Sequence, residues 1–286
     1  MRIADALADA AAKMAAAGIE EAGREARLLL AYALGKSYSQ LLLAGQDEMT
    51  AAGARTFAPL LARRLRREPF ALITGEREFW SLPFFVNNDV LIPRPETEFL
   101  IEQTLAPSPR PPGLICDLCC GSGVIAVVLA KELQQPVLAV DISRQALAVT
   151  QINARRHGVA HLVWPVAADL LTAFRPHPLF SLVVTNPPYV SSAELAAGLP
   201  PEVALFEPRL ALDGGVDGLE IIARIRRELA IFLLPGGEVF MEIGYSQGAA
   251  AGAIFARQIP DCRHFSLVRI LPDYAGRDRV LHARLA

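Results

Sequence analysis

The sequence has little cysteine, no excess of charge and no long apolar run, and each shortage closes off a class of protein. Its four cysteines, Cys116, Cys119, Cys120 and Cys262, include one Cys-x-x-Cys spacing. No second pair and no clustered histidines accompany it, so no metal site is expected and the thiols read as small buried hydrophobes. A net charge of -2 provides no global basic field to hold nucleic acid. Apolar stretches such as Val124 to Ala130 fall far short of the roughly 20 residues a membrane-spanning helix needs. Asp5, Asp9 and Lys13 break the N-terminal apolar positions at helical spacing, unlike a secretory leader. The expected address is the cytoplasm. No internal repeat or low-complexity tract occurs.

What is present divides the chain into three stretches. Residues 1–69 are rich in Ala, Leu, Glu and Arg, strong helix formers, with apolar positions at three and four spacings and breaks near Gly18, Gly35-Lys36 and Gly45-Gln46-Asp47. They predict a small all-α bundle without catalytic residues, suited to recognition or docking. The run Arg63-Arg64-Leu65-Arg66-Arg67 within it reads as a solvated helix face, with contact to RNA or an acidic partner as the alternative. Residues 70–91 turn aromatic and β-branched around Ser81-Leu82-Pro83 and predict a β-hairpin linker. Residues 92–286 alternate strands and helices. Strands are expected at Leu114–Leu118, Val137–Val140, Leu162–Ala167, Leu182–Thr185 and Glu238–Ile243, and helices at Ser122–Glu132, Arg144–His157, Gly218–Phe232 and Ser246–Ala256. Such alternation with short connections predicts an α/β fold with a doubly wound parallel sheet. Phe265–Ile270 and Arg279–Leu285 are expected to add an antiparallel pair at its edge.

Two segments of this third stretch carry chemistry. Asp117-Leu118-Cys119-Cys120-Gly121-Ser122-Gly123 lies between the first strand and its helix, where small residues let the backbone approach a ligand. Asp141 closes the next strand, and its carboxylate can accept hydrogen bonds from both hydroxyls of a ribose. These features define a nucleoside-cofactor site and fit NAD as well as S-adenosyl-L-methionine. Thr185-Asn186-Pro187-Pro188-Tyr189 ends the fourth strand and separates the two. Consecutive prolines make the backbone there stiff and extended, as positioning a poor nucleophile requires. An amide or aromatic amine is such a nucleophile, because its lone pair is delocalised. The Asn186 side-chain oxygen and the Pro187 carbonyl can accept its two hydrogens, and Tyr189 can stack on the planar group and face a sulfonium. A dehydrogenase would need an acid or base for its hydride partner, and none of the five histidines sits in a catalytic motif.

With these segments the chain resembles the peptide chain release factor glutamine N5-methyltransferases, the HemK/PrmC family. The similarity spans nearly the whole chain. It includes Gly75-Glu76-Arg77-Glu78-Phe79-Trp80, Leu91-Ile92-Pro93-Arg94-Pro95-Glu96-Thr97-Glu98, Phe206 to Leu212 and Asp273 to Arg279, beside the two motifs above. The Asn-Pro-Pro-Tyr motif alone is shared with adenine N6 methyltransferases. After Pro-Arg, the sister family acting on a ribosomal protein continues differently, typically with Ser-Pro. The resemblance implies a Rossmann-like class I methyltransferase sheet, with a release-factor glutamine in a Gly-Gly-Gln loop as substrate. It implies a helical domain that helps grip the factor, and a monomer that needs no direct nucleic acid and no membrane. By position, Cys119 to Gly123 would wrap the methionine part of the cofactor and Asp141 would bind its ribose. Asp169 and Leu170 would flank adenine, and Asn186, Pro187, Pro188 and Tyr189 would hold the glutamine. Two departures stand out. Cys119 replaces the usual glycine, a strain of about 1–2 kcal/mol if φ is positive there, and Leu170 stands where an aromatic is often found.

Overall fold

The computed structural model describes every residue except Pro107 and Asp261. Two compact units form: Met1–Glu76 with Pro200–Phe206, and Arg77–Leu199 with Glu207–Ala286.

The first unit is helical: α1 Ile3–Ala16, α2 Ala22–Leu34, α3 Tyr38–Leu43, α4 Ala51–Leu65 and α5 Phe70–Thr74. Its breaks have local causes. Gly35 closes α2 with φ +60°, and Ser37 opens α3 by accepting the Gln40 N–H at 3.1 Å. Ile3, Ala6, Ala10 and Met14 on α1, spaced by three and four, enter a core with Leu29, Leu30 and Phe57. Of the arginine run only Arg66 is exposed, so the run as a whole is not a solvated face. Arg64 is 5% exposed and bridges Glu25 at 3.0 Å and Glu202 at 3.1 Å, Arg67 reaches Glu202 at 2.8 Å, and Arg63 pairs with Glu68. Glu202 comes from Pro200–Phe206, so the charges stitch a distant stretch of chain into this bundle. Phe70–Thr74, expected in the hairpin, is instead one helical turn ended by Gly75 at φ +72°. Five residues are too few for aromatic composition to decide strand against helix.

The hairpin is β1 Glu76–Phe79 and β2 Leu82–Phe85, turned by Trp80 and Ser81, whose φ angles are +54° and +55°. Two positive φ values are the signature of a two-residue hairpin turn. After it come α6 Glu96–Leu105, β3 Leu114–Leu118, α7 Val124–Leu133, β4 Val137–Asp141, α8 Arg144–Arg156, β5 Val163–Ala167 and β6 Phe180–Thr185. The remainder is α9 Ser192–Ala197, α10 Pro201–Phe206, a 3-10 turn at Arg209–Ala211, α11 Glu220–Phe232, β7 Leu233–Glu242, α12 Gly248–Ala256, β8 Phe265–Pro272 and β9 Asp278–Leu285. The sheet runs β5-β4-β3-β6-β7-β9-β8, parallel from β5 to β7 and antiparallel through β9 and β8. This is the expected doubly wound sheet with an antiparallel edge. Side chains of β3 alternate between faces: Ile115 joins a core with α7, while Cys116 and Leu118 join one with α11 and α12. Strand order turns back between β3 and β6, so a crevice opens at their carboxyl ends.

Candidate active site

A cleft of about 240 Å³ occupies that crevice, and most of the residues singled out from sequence line it: Cys119, Cys120, Gly121, Ser122, Asp141 and Asn186, with Asp169, Leu170 and Pro188. Asp117, Gly123, Pro187 and Tyr189 do not. Their neighbours explain where they sit instead. Asp117 is fully buried behind the loop, where its Oδ2 accepts the Ala126 N–H at 2.9 Å and its Oδ1 meets no partner among the described residues. Burial pushes this carboxyl well above the usual carboxylate range. Gly123 faces α8: a Cβ there would lie 2.7 Å from Thr150 Cγ2, at φ +78°. Only glycine allows that approach of loop to helix.

The loop between β3 and α7 puts Cys119, Gly121 and Gly123 at φ +61°, +52° and +78°. It is held from two sides. The Gly121 N–H donates to Asp141 Oδ2 at 2.8 Å, and the Ser143 N–H donates to Asp141 Oδ1 at 2.8 Å. From α8, the Thr150 hydroxyl donates to the Gly121 carbonyl at 2.9 Å and Asn153 Nδ2 donates to the Ser122 carbonyl at 2.9 Å. A Cβ built on Gly121 meets nothing within 4 Å, so the loop keeps open space beside it. Burial raises the Asp141 carboxyl, opposed by the N–H groups of Ser143 and Gly121. Burial likewise pushes the Cys119 thiol up, with Asp141 and Asp117 adding to it, so the thiol stays neutral. Leu170, which also lines the cleft, has φ +50°, and Asp169 pairs with Arg224 at 2.8 Å. An acceptor carboxylate, a small-residue loop and an apolar wall of Ile142 and Leu170 are the parts a nucleoside with an amino-acid tail requires.

The carboxyl end of β6 delivers Asn186. Its Nδ2 donates to Thr97 Oγ1 at 3.2 Å, and the Thr97 hydroxyl donates to Glu242 Oε2 at 2.7 Å. The Tyr189 hydroxyl donates to the other oxygen, Glu242 Oε1, at 3.2 Å. Tyr189 is gripped through its backbone as well: its carbonyl accepts from Gln247 Nε2 at 2.9 Å. A Cβ at Gly218 would stand 2.3 Å from that carbonyl oxygen. Burial raises the Tyr189 phenol, with Glu242 adding to it, and keeps it neutral. Thr97, in the first turn of α6, and Arg94, just before that helix, also line the cleft, and Arg94 pairs with the buried Glu207 at 2.6 Å. Sequence reasoning singled out neither Glu242 nor Thr97 individually. The acidic ending of β7 and a threonine inside Pro95-Glu96-Thr97-Glu98 were the signals available.

A doubly wound sheet ending in β9 and β8, with this loop and carboxylate at its switch point, defines a class I methyltransferase whose methyl donor is S-adenosylmethionine. Residues 5–75 match the PrmC N-terminal domain and residues 95–201 the Methyltransferase small domain. The release factor glutamine methyltransferase of Cereibacter sphaeroides is 43% identical, over 100% of this chain and 99% of its own. That of Moorella thermoacetica is 41% identical over 98% and 97%. Among solved structures, a methyltransferase from Pyrococcus furiosus aligns with a TM-score of 0.48 at 14% identity, covering 80% of this chain and 98% of its own. The chain belongs to the release factor glutamine methyltransferase family.

Proposed function

We propose that this chain methylates the side-chain amide nitrogen of the glutamine in the Gly-Gly-Gln loop of peptide chain release factors. The observation that carries the reading is Asn186 at the carboxyl end of β6, opening on the same cleft as Asp141 and the loop after β3. When bound, S-adenosylmethionine supplies an electrophilic methyl group on a cationic sulfur. Asp141 holds the ribose hydroxyls. Cys119, Cys120, Gly121, Ser122 and Gly123 shape the loop around the methionine part, with Asp117 bracing it from behind. Asp169 and Leu170 border the adenine. Asn186 Oδ1 and the Pro187 carbonyl accept the two hydrogens of the glutamine NH₂, while Pro188 and Tyr189 confine its plane. Holding both hydrogens draws electron density toward the nitrogen. The nitrogen would gain the methyl group as its bond to sulfur breaks, leaving S-adenosyl-L-homocysteine, and would lose one proton, which methylation has made acidic enough for water to take.

Residues 1–69 serve as the part that grips the release factor, joined by the 70–91 linker to the 92–286 catalytic domain. The enzyme acts as a monomer in the cytoplasm without contacting nucleic acid. The engagement of Arg63, Arg64 and Arg67 with carboxylates of their own unit supports that last point.

The test incubates purified enzyme and S-adenosylmethionine with release factors, ribosomes and RNA in separate reactions. One added methyl on the Gly-Gly-Gln peptide by mass spectrometry is the expected outcome. Methyl transfer only to a ribosomal protein or to adenine would sink the reading. Asn186→Ala should lower kcat by at least about a hundredfold, the scale of losing a group that binds developing charge. Calorimetry should show cofactor affinity largely kept.

A further inference from the structure

Asn186 has a side chain whose two ends are alike in shape and opposite in polarity, so its usefulness depends on which end faces the cleft. We propose that Thr97 and Glu242 are positioning residues that fix this orientation, presenting the oxygen to the substrate and the nitrogen to the protein. The inference rests on the reading of Asn186 as an acceptor for the substrate NH₂.

Glu242 is 1% exposed, and as a carboxylate it can only accept. It draws the Thr97 proton to Oε2 at 2.7 Å and the Tyr189 proton to Oε1 at 3.2 Å. A hydroxyl has one proton. With that proton committed to Glu242, Thr97 offers Asn186 nothing but lone pairs. The end of the amide that meets Thr97 Oγ1, at 3.2 Å, must therefore be the NH₂. Direction then runs one way, from Asn186 through Thr97 to Glu242, and the amide oxygen is left for the cleft that Asn186 lines. A flipped amide would set its carbonyl against the Thr97 oxygen with no hydrogen between them. It would also turn an NH₂ toward the substrate NH₂. The same carboxylate anchors Tyr189, so one buried charge orders both ends of the tetrapeptide.

The charge on Glu242 sets the direction, and the groups facing it are Arg279 from β9, Glu96 at the start of α6 and Tyr189 itself. Burial raises the Glu242 carboxyl, while Thr97, Arg279 and Tyr189 pull it back. Below its pKa the carboxyl becomes a donor on one oxygen, and the single direction of the chain is lost. Activity should fall on the acid side for that reason.

Three variants test the assignment with a Gly-Gly-Gln release-factor substrate. T97V keeps the shape and removes the hydroxyl, and kcat should drop about tenfold, the worth of one net hydrogen bond. T97S keeps the hydroxyl and should recover most of that loss. E242Q can donate as well as accept, so kcat should fall at least as far and the acid limb of the pH profile should disappear. Cofactor affinity by calorimetry should stay within about twofold in all three, reporting an intact fold. T97V methylating at the wild-type rate, T97S as impaired as T97V, or an unchanged acid limb in E242Q would each overturn the assignment. Should T97V lose cofactor binding, the pH profile of E242Q decides alone. Wild-type enzyme that leaves the release factor unmethylated overturns the underlying reading and this one with it. An active wild type beside an equally active T97V overturns only this one.

Discussion

Cys119 stands at φ +61° in the cofactor loop, a conformation in which a Cβ crowds the following carbonyl at a cost of about 1–2 kcal/mol. The strain anticipated for a cysteine in place of glycine is therefore present. Leu170 shares it at φ +50°, so the cleft is lined by two such residues. Strained backbone persists only where surrounding bonds over-determine it. Next to Cys119, the Cys120 N–H donates to the Val140 carbonyl at 3.0 Å and the Gly121 N–H to Asp141. A pair of substitutions separates strain from chemistry at this position. C119A removes the sulfur and keeps the Cβ, whereas C119G removes both. Glycine costs about 0.5–1 kcal/mol of extra unfolded-chain entropy. C119G should therefore exceed C119A in unfolding free energy by about 0.5–1 kcal/mol, measured by urea denaturation of both proteins. Equal stabilities would mean the loop relaxes around the side chain. The thiol itself, neutral through burial, should resist iodoacetamide in the folded protein at pH 8.

At the scale of elements, α8 ties the hairpin to the cofactor loop through one side chain. Asn153 is fully buried; its Oδ1 accepts the Phe85 N–H at 2.8 Å, and its Nδ2 donates to the Phe85 carbonyl at 3.0 Å and the Ser122 carbonyl at 2.9 Å. Asn153→Ala leaves an N–H and two carbonyls unsatisfied and should cost about 2–4 kcal/mol. Cofactor affinity should weaken with it, by about tenfold, because the Ser122 carbonyl is released. Denaturation and calorimetry on one preparation check both. Unchanged affinity beside lowered stability would confine Asn153 to the hairpin. None of this was readable from sequence, where Asn153 was one polar residue in an expected helix. What was readable had a local signal. Leu114–Leu118 is a run between turn signals that is apolar apart from Asp117, and it forms a strand with those bounds. Gly121 and Asp141 stand at positions where a strand ends, and the strand order brings both to one crevice. The stretch after Tyr189 was silent, since α9 and α10 are six residues each and too short to show a helical period. Thr97 and Glu242 are 145 residues apart, and no pattern in the chain announces such a pair.

At the scale of the whole molecule, the helical unit is not one continuous length of chain. Pro200–Phe206 leaves the methyltransferase sequence, completes the bundle and returns at Glu207. Its polar anchor is Glu202, whose oxygens take Arg64 at 3.1 Å and Arg67 at 2.8 Å, with Arg64 only 5% exposed. Burial works against the Glu202 charge, but hydrogen bonds from Arg67 and Arg64 outweigh it and leave the carboxyl below the usual range. A carboxyl depressed in the folded state contributes stability above its unfolded pKa, and that stability drains away as pH falls through the folded value. Glu202→Gln leaves Arg64 with the Glu25 carboxylate and the Glu68 carbonyl, and Arg67 with the carbonyls of Ala17 and Gly18. For a partly buried pair, the loss at pH 7 should be about 1–3 kcal/mol. The difference between wild type and E202Q should shrink steadily below about pH 4, the unfolded glutamate pKa. Chemical denaturation from pH 7 down to pH 3, followed by far-ultraviolet circular dichroism, measures it. A gap that stays constant with pH would mean Glu202 holds the bundle through its shape and not its charge. The fragment 1–76, which lacks Glu202, should for the same reason unfold at lower denaturant than the bundle does in the whole chain.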